Sequence, residues 1–486
     1  MSAPATPHIH DLAAVGADGS PPHIHDLVGV GIGPFNLGLA CLTAPLDDVD
    51  AVFLDAADGF AWHHGMMLDG ATIQVPFLAD LVTMADPTSP YSFLNWLKQT
   101  GRLYPFYIRE DVYPLRAEYD AYCRWASEQL PNLRWGRRVV SIEHDEALDA
   151  YRVTSEVAAT GTTETVIGRH LALGVGTRPI VPAPLRGLPG PVVHSSDYLP
   201  SKERLQSAGS VTVVGSGQSA AEIYLDLLEG ARDGGYRVEW ITRSPRFFPM
   251  EYTKLTLEMT SPEYTDHFHA LPTELRDAVG REQRVLYKGI SGELVNAIYD
   301  TLYRLSASGP VPTTLLSDTE VIGAEWQPAS QSYRLHLRHG QLGQEHGRET
   351  GALVLATGYG AEVPEFLEPI RDRLDWDARG RLDVAREYTV DGDRGRVFVL
   401  NGEEHSHGVT APDLGFGAWR NAVIIAAITG REVYPIERRI AFQEFGVPAD
   451  ALPVPGADAA PDADAAPDAD AAPAASVSAD AVEAAR

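Results

Sequence analysis

Cysteine is almost absent: Cys41 and Cys123 are the only two in 486 residues. That excludes a disulfide framework and any four-thiolate metal centre, and it points to a reducing, cytoplasmic compartment. No Cys-x-x-Cys or Cys-x-x-x-x-Cys redox pair exists either. Positive charge is scarce, with 39 Lys and Arg against 67 Asp and Glu and a net charge of -28. Such a balance argues against a nucleic-acid partner and favours cationic small molecules by long-range attraction. No apolar run is long enough to cross a bilayer, and no signal peptide is recognisable, so no membrane role is expected. What the chain does have is a hydrophobic content of 44%. That suffices for a sizeable core, at a length suited to about two or three domains.

Both ends read as appendages. Residues 1–25 are expected to be a flexible leader in which PHIHDL begins at Pro7 and recurs at Pro22. Its two His-x-His pairs are read as part of that leader, with no metal site. Residues 448–486 form an Ala/Asp/Pro string almost without large apolar residues, which predicts a disordered tail.

Between the ends, the strand-like DLVGV (Asp26 to Val30) runs into Gly31, Gly33, Pro34 and Asn36, and then into an apolar helical stretch. Strand, glycine turn and helix together form a dinucleotide fingerprint. Gly31 makes the tight turn, Gly33 lets backbone approach a pyrophosphate, and the helix N-terminus supplies free N–H groups. Asn36 stands at the third glycine's usual place. The next strand, AVFLD, ends on Asp55, spaced to bind ribose hydroxyls.

The plan recurs at Ser210. SVTVV leads into Gly215, Gly217, Gln218 and Ser219 and a second helix, and the following RVEWITRS ends on Arg243 and Ser244. A basic end without a carboxylate suits a 2′-phosphate, hence NADPH, while the first unit with its Asp55 fits FAD. A further strand closes on LATGY, with Thr357 and Gly358. The expected class is α/β: two Rossmann-like dinucleotide-binding domains, for FAD and NADPH, with a smaller, mainly helical substrate-binding region. Residues 26–205 are assigned to the FAD domain, 206–365 to the NADPH domain with a substrate-pocket insertion, and 366–447 to the return to the FAD domain.

A narrower resemblance rests on GVGIGPFNLGLA, FAWHHGM, IQVPFLADLVT, PTSPYSFLNWL, LRAEYDAYCRWA, VVGSGQSAAE and LATGY, in that order. Together they resemble the N-hydroxylating flavin monooxygenases of hydroxamate siderophore biosynthesis, over roughly Asp26 to Val447. The resemblance implies that NADPH reduces FAD and that dioxygen then forms a flavin hydroperoxide, whose distal oxygen a neutral amine attacks. It also implies that Gln74 stands beside the isoalloxazine and that Trp62 and His63 line the flavin.

Substrate choice turns on two departures. Relatives acting on lysine or ornithine typically carry Lys in a phrase like FLKDL, and Ser late in an HG...LS stretch. Here the phrases read FLADL and HGVTAPDLG, with Ala79 and Gly415 in those places. The expected substrate is therefore a short aliphatic diamine, putrescine or cadaverine, with dioxygen as co-substrate. The alternatives are a lysine or ornithine side-chain hydroxylase, and a flavin-dependent NADPH reductase without oxygen insertion. Homo-oligomerisation stays open.

Overall fold

Short runs with hardly a polar interruption become the middle strands of two sheets, one mixed and one parallel, where both faces are covered. The computed structural model describes residues 22–448 and 450–452. Most of the expected leader and tail lie outside the described residues. By contact the chain divides into two units, up to Gln443 and from Glu444. The described residues of the second unit contain no helix or strand.

In the first sheet, β1 (Ile24–Val30) lies between β2 (Ala51–Leu54) and β6 (Thr163–Leu173), parallel to both. β3 (Leu133–Arg134) extends the β2 edge. β6 is long enough to serve two partners on its other side. Its first half pairs antiparallel with β5 (Ala150–Val157), which pairs with β4 (Arg137–Asp145). Its last three residues pair parallel with Val397–Val399, so the chain does return to the first sheet late in its course. β1 starts at Ile24, two residues earlier than expected. There the rings of His23 and His25 pair with the carboxylate of Asp50 at 2.7 and 3.0 Å, fastening the start of the strand.

Helix α1, Pro34–Thr43, is buried from Asn36 onward. It packs against the helix Gly417–Thr429 with Leu37, Leu39, Ile424 and Ile425 in one cluster. A Leu→Ala change at such a site costs about 2–5 kcal/mol.

The second sheet is wholly parallel, in the order Thr313–Leu316, Arg237–Ile241, Ser210–Val214, Ala352–Leu355, Val192–His194. Its last strand falls within the stretch assigned above to the FAD domain. The helix Tyr198–Gln206 likewise packs Tyr198 and Leu205 into the second sheet's core. Between Ile241 and Thr313 the crossover runs first as irregular backbone and then, from Lys254, mostly as helix, with Pro262–Ala270, Thr273–Glu282 and Gly292–Ser306 as its longer pieces. Among the described residues no helix is long and apolar enough to cross a membrane.

Candidate active site

Helix α1, on Gly33, and the helix Gln218–Gly234, on Gly217, begin on a glycine with no side-chain cap, as several other helices of the described residues also begin uncapped. Four others are capped by a hydroxyl, from Ser92, Thr253, Ser261 and Ser291. With glycine at the N-cap the lost hydroxyl bond costs only about a few tenths of a kcal/mol, and the first-turn N–H groups stay free. Both glycine-headed ends face one cavity of about 650 Å³, where Gly33 and Pro34 line one part and Gln218 and Ser219 another. Free N–H groups and two positive dipole ends suit anionic groups there. The space is shaped to match: an added Cβ at Gly33 would meet nothing within 4 Å. These residues fit the pyrophosphate-bearing nucleotides expected from the sequence.

The turn before α1 is built tightly. Gly31 has φ +85°, and a Cβ there would lie 2.4 Å from the carbonyl oxygen of Gly174. Asp55 serves the same turn, accepting N–H bonds from Ile32 at 2.6 Å and Ala57 at 2.8 Å. Asn36 points inward, its amide donating to the carbonyls of Gly31, Ala172 and Val30. It thereby joins α1 to the two central strands, and it does not line the cavity. In the second turn, a Cβ on Gly215 would come within 2.2 Å of the Ala356 oxygen. Gln218 is held at both ends of its amide, by Glu222 and by the Ser291 N–H.

Trp62, His63 and Gln74 all line the cavity. Trp62 packs on Tyr119 at 5.1 Å and edge-to-face on His63 at 4.5 Å. The His63 ring reaches the cavity, yet burial, helped by the nearby Arg116, pushes its pKa down to about 4, so it stands neutral. Gln74 lies in irregular backbone and donates to the Thr72 carbonyl at 2.9 Å. Thr357 donates to the Ile180 carbonyl, and Gly358 accepts from His194 at 3.1 Å. Neither lines the cavity, nor does Arg243, which is exposed two residues past its strand.

Ala79 and Gly415 are brought together. A Cβ on Gly415 would lie 3.5 Å from that of Ala79 and 3.0 Å from Oδ1 of Asp413. They stand beside the cavity wall that Asp413 and Leu414 complete. The loop carrying these residues is pinned from below by Arg420, fully buried, which pairs with buried Glu403 and donates to the Ala411 carbonyl at 2.8 Å.

The sequence reading missed two side chains, Arg116 and Asp413, and expected a pocket-building insertion without naming its residues. Arg116 lines the cavity and forms a two-pronged ion pair with Glu222 at 2.9 and 2.7 Å, clamping the first nucleotide unit to the second helix. Asp413 lies between residues already singled out, in HGVTAPDLG, but nothing in its spacing marks it as a cavity carboxylate. From the helical crossover, Met250, Tyr252, Leu257 and Tyr287 reach the cavity. Arg116 is the one Lys or Arg among the described lining residues, and Glu222 neutralises it. Asp413 and Glu251 are left as unmatched carboxylates.

Known proteins are similar to this chain in sequence and in fold. Residues 23–361 match the family described as L-lysine 6-monooxygenase/L-ornithine 5-monooxygenase. A putrescine N-hydroxylase of Acinetobacter baumannii is 46% identical, covering 92% of this chain and 96% of that protein. The crystal structure of an FAD-bound cadaverine monooxygenase of the desferrioxamine pathway, from Erwinia amylovora, superposes with a TM-score of 0.86 at 50% identity, over 88% of this chain and all of that one. An ornithine N-hydroxylase of Kutzneria, solved with reduced FAD, NADP+ and ornithine, gives a TM-score of 0.77 at 28% identity over 84% and 99% of the two chains. With two uncapped helices on one cavity and a family match over most of its length, the chain belongs to the L-lysine 6-monooxygenase/L-ornithine 5-monooxygenase family, the flavin-dependent N-hydroxylating monooxygenases that use FAD and NADPH.

Proposed function

We propose that this enzyme converts one primary amine of a short aliphatic diamine, putrescine or cadaverine, to a hydroxylamine, as a step in hydroxamate siderophore biosynthesis. The observation that carries the reading is the charge of the cavity. Among the described lining residues the one Lys or Arg, Arg116, is spent on Glu222, while Asp413 and Glu251 remain. An amino-acid substrate would bring a carboxylate into a space with no free cation, and a desolvated, unpaired charge is costly. A diamine brings no carboxylate, and its second ammonium meets carboxylates. The names of the A. baumannii and E. amylovora relatives support the same class.

The turn around Gly31 and Gly33 would hold FAD and the turn around Gly215 and Gly217 would hold NADPH, and the pair would supply the reducing power and the activated oxygen. The chain's own residues hold and prepare the amine. An alkylamine resembles a lysine side chain, protonated at neutral pH with a pKa near ~10.4, and only its free base has a lone pair to react. Trp62, the neutral His63 ring, Ile73 and Val75 line that part of the cavity with little charge. Desolvation there favours loss of the proton. Gln74, steadied by Thr72, offers an amide to the reacting groups. Each turnover consumes one NADPH, one proton and one dioxygen, and yields NADP+, water and the N-hydroxy amine.

The test is hydroxylamine formation with putrescine, cadaverine, ornithine and lysine, alongside NADPH and oxygen consumption. The diamines are expected to give the higher kcat/KM. A preference for lysine or ornithine would refute the diamine reading, and NADPH oxidation without hydroxylamine from any of them would favour a reductase.

A further inference from the structure

We propose that the carboxylate of Asp413 receives the distal ammonium of the substrate, and so sets both the requirement for a second cation and the preferred chain length. The inference rests on the diamine reading above and names the residue that enforces it.

Four observations converge on this side chain. First, Asp413 lines the cavity on a loop that cannot drift, because buried Arg420 grips the Ala411 carbonyl two residues before it and the Phe416 N–H donates to its Oδ1 at 3.0 Å three residues after it. Secondly, it lacks a cation of its own. Arg420 is the nearest basic influence, and that guanidinium is committed to Glu403 and to backbone carbonyls. Enclosure by protein accordingly pushes the carboxyl above the usual carboxylate range, against the pull of the Phe416 and Gly415 N–H groups and Arg420. A largely enclosed carboxylate in that position gains most from an incoming ammonium.

Thirdly, the corner around it is emptied of competing side chains. Ala79 ends at Cβ, and Gly415 has no side chain in a space that would place its Cβ 3.0 Å from Oδ1 of Asp413. Fourthly, the other acids nearby are less suited. Asp80 is buried but already accepts from the N–H groups of Val82, Thr83 and Phe93 and from the Thr83 hydroxyl. Glu251 is exposed, where solvent weakens an ion pair. Tyr252, also on the cavity, is a neighbour of Asp413: burial first, then Tyr113 and Asp413, push its phenol up to about 12, so it stays neutral and adds no competing charge.

The test compares each diamine with the monoamine that lacks only the distal ammonium: putrescine with butylamine, and cadaverine with pentylamine. In Asp413→Asn the ratio of diamine to monoamine kcat/KM should fall about tenfold to hundredfold, mainly through KM, as expected for loss of one charged hydrogen bond. Asp413→Glu keeps the charge and lengthens the arm by one methylene, so it should shift preference from cadaverine toward putrescine. Flavin content reports whether each variant is folded, and the Glu variant carries the test should the Asn variant fail to assemble. An unchanged diamine-to-monoamine ratio in Asp413→Asn, or an unchanged length preference in Asp413→Glu, would overturn the assignment while a wild-type preference for diamines stood. A wild-type preference for lysine or ornithine would instead overturn the diamine reading on which it rests.

Discussion

Ala79 and Gly415, far apart in sequence, face one another so closely that a side chain on Gly415 would start 3.5 Å from the Ala79 methyl. The two departures from the amino-acid hydroxylases therefore act at one place. Ala79→Lys should add an ammonium beside Asp413 and repel the substrate's second cation, and Gly415→Ser should crowd Asp413 directly. Each is expected to lower diamine kcat/KM by roughly tenfold or more, and the double variant should depart from the product of the singles because the sites touch. Hydroxylamine assays across four amines provide the check; strictly multiplicative effects would show that the two positions act separately.

Gly31 and Gly33 should respond differently to a side chain. At Gly31 the positive φ and the 2.4 Å approach to the Gly174 oxygen leave no room, so Gly31→Val should destabilise the fold itself. Gly33 has ordinary φ and open space, so Gly33→Ala should fold normally yet hold FAD more weakly. Melting temperature and flavin content, measured on both, separate the two effects. Full flavin occupancy in Gly33→Ala would count against a close backbone approach there.

Arg116 and Glu222 are both nearly inaccessible and joined by two hydrogen bonds. Removing one partner strands the other, at a cost of about 3–5 kcal/mol, whereas removing both with apolar residues should recover much of that. Urea unfolding of Arg116→Met, Glu222→Leu and the double variant would reveal this, and additive losses would contradict it.

Arg243 is exposed just beyond its strand, where a 2′-phosphate would arrive if the second unit binds NADPH in the usual way. Its neighbour Arg246 instead covers the Phe248 ring at 4.3 Å. Arg243→Ala should raise KM for NADPH about tenfold and leave NADH almost unaffected. Equal losses with both nucleotides would remove Arg243 from the role.

His407 should make the fold acid-sensitive. The ring is fully buried, stacked on Tyr388 and bonded to the Arg386 carbonyl. Burial holds its pKa well below 6.5, with His269, Arg386 and Arg420 adding to the effect against the pull of the Arg386 carbonyl. Its folded pKa is lower than its unfolded one, so stability is complete above about pH 6.5 and declines as pH falls below it, by at most about 1.4 kcal/mol per unit. Urea midpoints measured from pH 8 to 5 should fall more steeply in the wild type than in His407→Gln. Parallel curves would show that another group governs the loss.

Much of the fold was legible in the sequence because it is local. Glycines forced at a turn, an apolar strand before them and a helix after them are properties of adjacent residues, and both nucleotide turns formed where they were read. Asn36 was visible at its position, but its inward role depends on the carbonyls of Val30 on β1 and Ala172 on β6 both coming within reach of its amide. Likewise Val192–His194 gains a place in the second sheet only by pairing with Ala352–Leu355. The charge of the site is the clearest case. Arg116 reads as one more basic residue until Glu222 cancels it, and Asp413 as one more acid until Arg420 proves to be taken by Glu403. The sequence by itself determined the backbone that receives two nucleotides, since steric limits on φ and ψ act within a few residues. Only the tertiary structure decided which charges in the cavity remain uncompensated, because compensation depends on distances of a few ångströms between residues far apart along the chain.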